Sequence, residues 1–191
     1  MSDFPAEYSD EERRWLLRLA HASIRAAVRG KPLAAEPTPN EHLLQARGAF
    51  VTLHENGELR GCIGMMVAAK ALDETVREMA RAAALEDPRF DVVRVDELDK
   101  LQIEISVLSP MLAIAPENVV VGRHGLMVSY EGRRGVLLPQ VAPEWGWDRE
   151  TFLAQTCRKA GLPLDQWRRG AKLEAFTAEV FGEKEPGESL R

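Results

Sequence analysis

Apolar residues recur every three or four positions along some stretches of the chain and every second position along others, which divides it into helices and strands. Ser9-Asp10-Glu11-Glu12 has the form of a capping box, and Trp15, Leu16, Leu19, Ser23 and Ala27 follow at helical spacing until Gly30. A helix is expected there. Lys31 to Asn40 carries Pro32, Pro37 and Pro39 and reads as an extended connection. The β-prone runs Ala49 to His54 and Glu58 to Ile63 flank Asn56-Gly57, the strongest short hairpin signal. A two-residue turn sets Glu55 opposite Glu58, Arg60 opposite Leu53 and Cys62 opposite Val51. Period-2 alternation then places Arg60, Cys62 and Gly64 on one face.

From about Ala69 to Leu85, apolar residues return to helical spacing, stopped by Asp87-Pro88. Leu101 to Leu108 alternates strictly and predicts a half-buried strand with Glu104 and Ser106 on its polar face. Val119 to Val121, Leu126 to Tyr130 and Val136 to Leu138 read as short strands between glycine turns. Asp148 is an expected N-cap for a helix through Ala160, with Gly161 and Pro163 beyond it. A turn over Asp165 to Arg168 and a last strand from Leu173 to Phe181 follow. Helices interspersed with hairpins predict an α+β fold, mostly antiparallel sheet with flanking helices. One domain over 5–182 is expected, then a polar tail, Glu183 to Arg191.

Composition narrows the function. A chain of 191 residues buries roughly 70% of its unfolded surface and needs no disulfide or structural metal to fold. Its two cysteines, Cys62 and Cys157, are far apart and show no Cys-x-x-Cys spacing. A reducing cytoplasm is the expected compartment. The 25 Lys+Arg against 30 Asp+Glu give a net charge of -5 without a basic cluster, which argues against nucleic-acid binding. Met1 to Glu12 lacks the basic and apolar regions of a secretory signal, and no stretch is long and apolar enough for a membrane span. No phosphate loop, dinucleotide fingerprint or serine-hydrolase elbow occurs.

Cys62 is the first candidate for chemistry. It lies between Gly61 and Gly64, where backbone can approach a ligand, and two residues from Arg60, whose guanidinium would favour a thiolate. The same residue also fits a small buried apolar position in a hairpin. His124, in Gly122-Arg123-His124-Gly125, is placed to shuttle a proton, or simply to bond turn backbone. Glu104 and Ser106 either line a pocket or face solvent, and Glu104 is a candidate partner for Arg60. Gln140 and Glu144, beside Trp145 and Trp147, suit a pocket rim, although tryptophans also pin loops to cores. His21, His42 and His54 stand alone, so neither a metal nor a cofactor is expected.

Four blocks in order resemble the AMMECR domain family, the AmmeMemoRadiSam system protein A family. They are Gly48-Ala49-Phe50-Val51-Thr52-Leu53 running into Leu59-Arg60-Gly61-Cys62-Ile63-Gly64; Asp87-Pro88-Arg89-Phe90 leading to Ile103 to Pro110; Gly125-Leu126 leading to Leu137 to Glu144; and Lys159 to Pro163 with Trp167. Asp91 stands where the family more often has proline. The resemblance implies one α+β domain of two unequal lobes with a cleft between them. It also implies companion proteins, a Memo-like relative of extradiol dioxygenases and a radical S-adenosylmethionine protein. It brings no reaction with it.

Two functions follow as expectations. In the first, a cytoplasmic enzyme or enzyme component acts on a small molecule with Cys62 as nucleophile. Arg60 holds the thiolate or a substrate anion, His124 or Glu104 moves the proton, and Gly61, Gly64, Ser106, Gln140 and Glu144 bind substrate. In the second, the chain is a noncatalytic binding module for those companion enzymes.

Overall fold

The structure, a computed structural model, describes residues 7–34 and 37–183. In chain order its regular elements are α1 (Asp10–Val28), β1 (Ala49–Glu55), β2 (Glu58–Met65), α2 (Leu72–Leu85), β3 (Leu101–Leu108) and β4 (Leu112–Ala113). They continue with β5 (Gly125–Tyr130), β6 (Arg133–Leu137), α3 (Val141–Glu144), α4 (Arg149–Lys159), β7 (Lys172–Phe176) and β8 (Ala178–Gly182). The strands form two four-stranded antiparallel sheets, ordered β2-β1-β3-β8 and β4-β7-β5-β6, so the fold is α+β. Two compact units contain them: Met1–Leu108 with Glu179–Arg191, and Ser109–Ala178.

The first unit is built as its periodicity dictates. Ser9 and Glu12 close the capping box reciprocally, and the buried stripe Trp15, Leu16, Leu19, Ala20 and Ile24 joins one core with Val76, Met79, Ala80 and Ala83 of α2. Val51, Leu53, Ile103 and Ile105 complete that core from one face of the sheet. Burial works against a charge on Glu12, yet hydrogen bonds from Ser9, His42 and Asn40 outweigh it and pull the carboxyl down to about 2. Asn56 and Gly57 both take positive φ, 53° and 82°, the left-handed pair a two-residue hairpin turn needs.

The hairpin register departs from the alternation beyond that turn. Glu55 faces Glu58 and His54 faces Leu59, but Leu53 faces Gly61, so Arg60 is an extra residue in a bulge. Cys62 therefore lies opposite Thr52, not Val51, and Arg60 is not opposite Leu53. The cause is packing. A Cβ on Gly61 would stand 2.2 Å from the carbonyl oxygen of Ala83, so the one residue without a side chain must face α2. The bulge satisfies that demand and turns Cys62 away from the core.

Two further expectations are corrected. Val119 to Val121 forms no strand: Pro116–Asn118 is a short 3-10 turn, and Val119 is buried in the core of the second unit. The strand expected over Leu173 to Phe181 is two strands in different sheets, divided at Thr177, whose N–H and carbonyl bond to Ser109. Two-residue β4, paired with β7, had no period to betray it. Of the expected polar tail only Glu183 is described; its carboxylate meets His21 at 2.8 Å and accepts from the Ile103 N–H at 3.0 Å. Residues 184–191, like 1–6 and 35–36, lie outside the described residues. Among the described residues no helix is long and apolar enough to cross a membrane.

Candidate functional site

The bulge assembles a polar row across the first sheet. Cys62 of β2 faces Thr52 of β1, which faces Glu104 of β3 on its other side. All three are half-buried, whereas their neighbours Val51, Leu53, Ile103 and Ile105 point into the core. The Thr52 hydroxyl donates to Cys62 Sγ at 3.2 Å. Glu104 is two strand spacings from the cysteine, about 10 Å, too far for a direct hydrogen bond. Ser106 faces Phe50 in the next row, and Phe50 in turn faces Gly64.

On its edge Cys62 is held by a motif that the sequence marked as a helix stop and a family block, not as part of a site. Its backbone N–H donates to Asp87 Oδ2 at 2.8 Å. That carboxylate, nearly inaccessible, also accepts from the Arg89 N–H and from Arg89 Nε and Nη2, at 3.1, 3.0 and 2.7 Å. The Arg89 guanidinium, outweighing burial, holds the Asp87 carboxyl far below the ordinary carboxylate range, assisted by the two backbone N–H groups. Arg89 Nη2 also reaches the Cys62 carbonyl at 3.4 Å, with the side chain about half exposed. Sequence reasoning missed both residues as site members. The Asp-x-Arg spacing on a turn was the available signal, since it lets one carboxylate take its partner's backbone and side chain together.

Arg60 does not play the expected part. Its Nε and Nη2 meet Glu97 at 2.8 and 3.2 Å, and Nη1 and Nη2 meet the carbonyls of Asp91 and Val92. Its carboxylate partner is thus Glu97, not Glu104, and the cation next to Cys62 is Arg89. The Arg60 hydrogen bonds, against burial, lower the Glu97 pKa, aided by the Arg94 N–H. Gly61 and Gly64 are occupied as well: the first by the α2 backbone, the second by the Phe50 ring, which would lie 2.0 Å from an added Cβ. What approaches at these glycines, a helix backbone and an aromatic ring, belongs to the protein itself.

His124, Gln140 and Glu144 belong to the second unit. His124 Nδ1 accepts from the Val120 N–H at 3.1 Å, which leaves a neutral ring its proton on Nε2. Burial, and then the charge of Arg123, push its pKa below the usual value. Gln140 and Glu144 are exposed at the two ends of the single-turn helix α3. Trp145 stacks on Trp147 at 6.1 Å and is itself 70% exposed. The other cysteine, Cys157, is fully buried, and burial raises its pKa. Among the described residues no three His, Cys, Asp or Glu side chains gather where they would hold a metal ion.

Comparison with known proteins covers nearly the whole chain. The AMMECR1 family model matches residues 17–181. Protein TK0174 of Thermococcus kodakarensis is 43% identical over 95% of each chain, and Protein MJ0810 of Methanocaldococcus jannaschii is 42% identical over 92% of each. The crystal structure of uncharacterized protein PH0010 from Pyrococcus horikoshii superposes with a TM-score of 0.81 at 40% identity, covering 95% of this chain and 96% of that one.

Proposed function

The chain belongs to the AMMECR1 family, and from that premise we propose that it is a cytoplasmic small-molecule enzyme, or a component of one, with Cys62 as its nucleophile. The observation that carries the reading is the Thr52 hydroxyl 3.2 Å from Sγ, on the sheet face turned away from the core. A hydroxyl donating to sulfur stabilises the anionic form that attacks an electrophilic carbon. Arg89, fixed by Asp87 yet half exposed, is the cation available to an anionic group of the substrate. The thiol proton leaves to solvent on this open face, and Glu104, one strand beyond Thr52, is the carboxylate of the same row. Arg60 becomes a positioning residue that ties the bulge to Glu97.

Native-state alkylation tests this reading. Iodoacetamide is expected to add one carbamidomethyl group, on Cys62, and to leave buried Cys157 unmodified. Thr52→Val is expected to slow that reaction about five- to ten-fold, the worth of one hydrogen bond of about 1–1.5 kcal/mol. Cys62 inert until the protein unfolds, or labelled equally fast in both proteins, overturns the proposal.

A second reading rests on the exposed Trp145, a side chain of the kind enriched at interaction surfaces. In it the chain is a binding module for a Memo-like protein and a radical S-adenosylmethionine protein. Co-purification with either that survives Cys62→Ser and is lost in Trp145→Ala favours this reading. No co-purification at all removes it.

A further inference from the structure

The second unit has an open surface hollow of about 350 Å³ lined by Leu137 of β6, Trp147, and Gln155, Arg158 and Lys159 of α4. We propose that it binds a small aromatic carboxylate, with the ring system against Trp147 and Leu137 and the carboxylate between Arg158 and Lys159. The volume lies at the lower end of the range for small-molecule pockets, enough for a bicyclic acid.

Charge decides the ligand class. No carboxylate lines this hollow. Arg168 is paired with Glu150, Arg169 with Asp165, and Arg133 donates to the Gly161 carbonyl, whereas Arg158 and Lys159 have no ion-pair partner among the described residues. Cations in a last helical turn usually complement its carbonyls. Here three of those carbonyls are already met, because Thr156 and Cys157 accept from the Ala160 N–H, Cys157 also from Leu162, and Arg158 from Gly161. The two charges are therefore free for an anion. A larger hollow of about 500 Å³ between α1 and α2 offers no such pair, since Lys70 is bound to Glu78, Arg81 to Glu86 and Arg77 to Asp73.

The walls are fixed in advance. β6 packs on the end of α4 so closely that a Cβ on Gly135 would stand 2.3 Å from the Ala160 nitrogen. The Trp147 backbone N–H donates to the Ala142 carbonyl at 2.8 Å, and its ring stacks on Trp145. Gln155, one turn before Lys159, contributes an amide able to donate to the same carboxylate. An aromatic wall beside unpaired cations suits a planar anion, whose binding orders the two exposed cationic side chains.

Isothermal titration with 2-naphthoate, using 2-naphthalenemethanol as the uncharged control, tests the site. Naphthoate is expected to bind saturably and at least about ten-fold more tightly than the alcohol, as charge-assisted hydrogen bonds imply. The double variant Arg158→Gln, Lys159→Gln should lose that preference and keep its affinity for the alcohol. Trp147→Leu should weaken both ligands. Cys62→Ser should change neither, which separates this site from the thiol proposal. Arg158 and Lys159 are exposed, and circular dichroism checks the fold of each variant. No saturable naphthoate binding, equal binding of acid and alcohol, or an unaltered preference in the double variant overturns the inference.

Discussion

Asp87 makes four hydrogen bonds from one side-chain position: to the Cys62 N–H, to the Arg89 N–H and to two nitrogens of the Arg89 guanidinium. Its carboxylate is shielded from water, so removing it strands an edge N–H of β2 and frees the arginine next to the thiol. Asp87→Ala is expected to cost about 1.5–3 kcal/mol, the range for hydrogen bonds to a charged group, read from urea denaturation. Asp87→Asn, which keeps an acceptor oxygen, should recover part of that loss. A variant as stable as the parent would show that Arg89 and Cys62 find other partners. The sequence marked Cys62 but hid this support, because Asp-Pro after a helix reads first as a terminator. Arg60 misled for a similar reason. Strand alternation offered Glu104 as its partner, while Glu97, in a 3-10 turn that no apolar period announces, takes the guanidinium.

At the scale of elements, signals borne by local chemistry translated directly into structure. The Ser9–Glu12 box, the Asn56-Gly57 turn and the Asp148 cap depend on residues three or fewer positions apart, and each forms as expected. Register and sheet membership depend on partners far along the chain. The bulge at Leu53 arises because Gly61 must face Ala83, and the strand break at Thr177 because Ser109 captures its backbone; neither partner is visible in a local window. Two glycines of the same hairpin separate the effects. Gly57 has open space around a would-be Cβ but φ of +82°, so Gly57→Ala should cost about 1 kcal/mol through backbone strain alone. Gly61→Ala meets a backbone carbonyl that cannot rotate away, and should cost up to about 3 kcal/mol by forcing β2 from α2. Thermal midpoints that fall in the opposite order would place the register constraint elsewhere.

At the scale of the whole molecule, the acid-sensitive groups are distributed unevenly between the two units. Glu12, Asp87, Glu97 and Glu183 all have lowered pKa values and belong to the first unit, where each meets a basic side chain. The second unit has Asp148, which caps α4 from an exposed position. A carboxyl whose folded pKa lies below its unfolded value stabilises the protein above the unfolded value, and that stability is lost as pH falls through the folded one. For Glu12 the window runs from 4.5 down to about 2. Acidification through this window should therefore loosen the first unit before the second. Hydrogen exchange corrected for intrinsic rates should show peptides from α1 and β3 losing protection at about pH 3, while those from β5 and α4 retain it. Glu12→Gln, which cannot ionise, should flatten that pH dependence for α1 even though it weakens the capping box at neutral pH. Equal loss of protection in the two units, or an unchanged slope in Glu12→Gln, would mean that these partnered carboxylates do not govern the acid response.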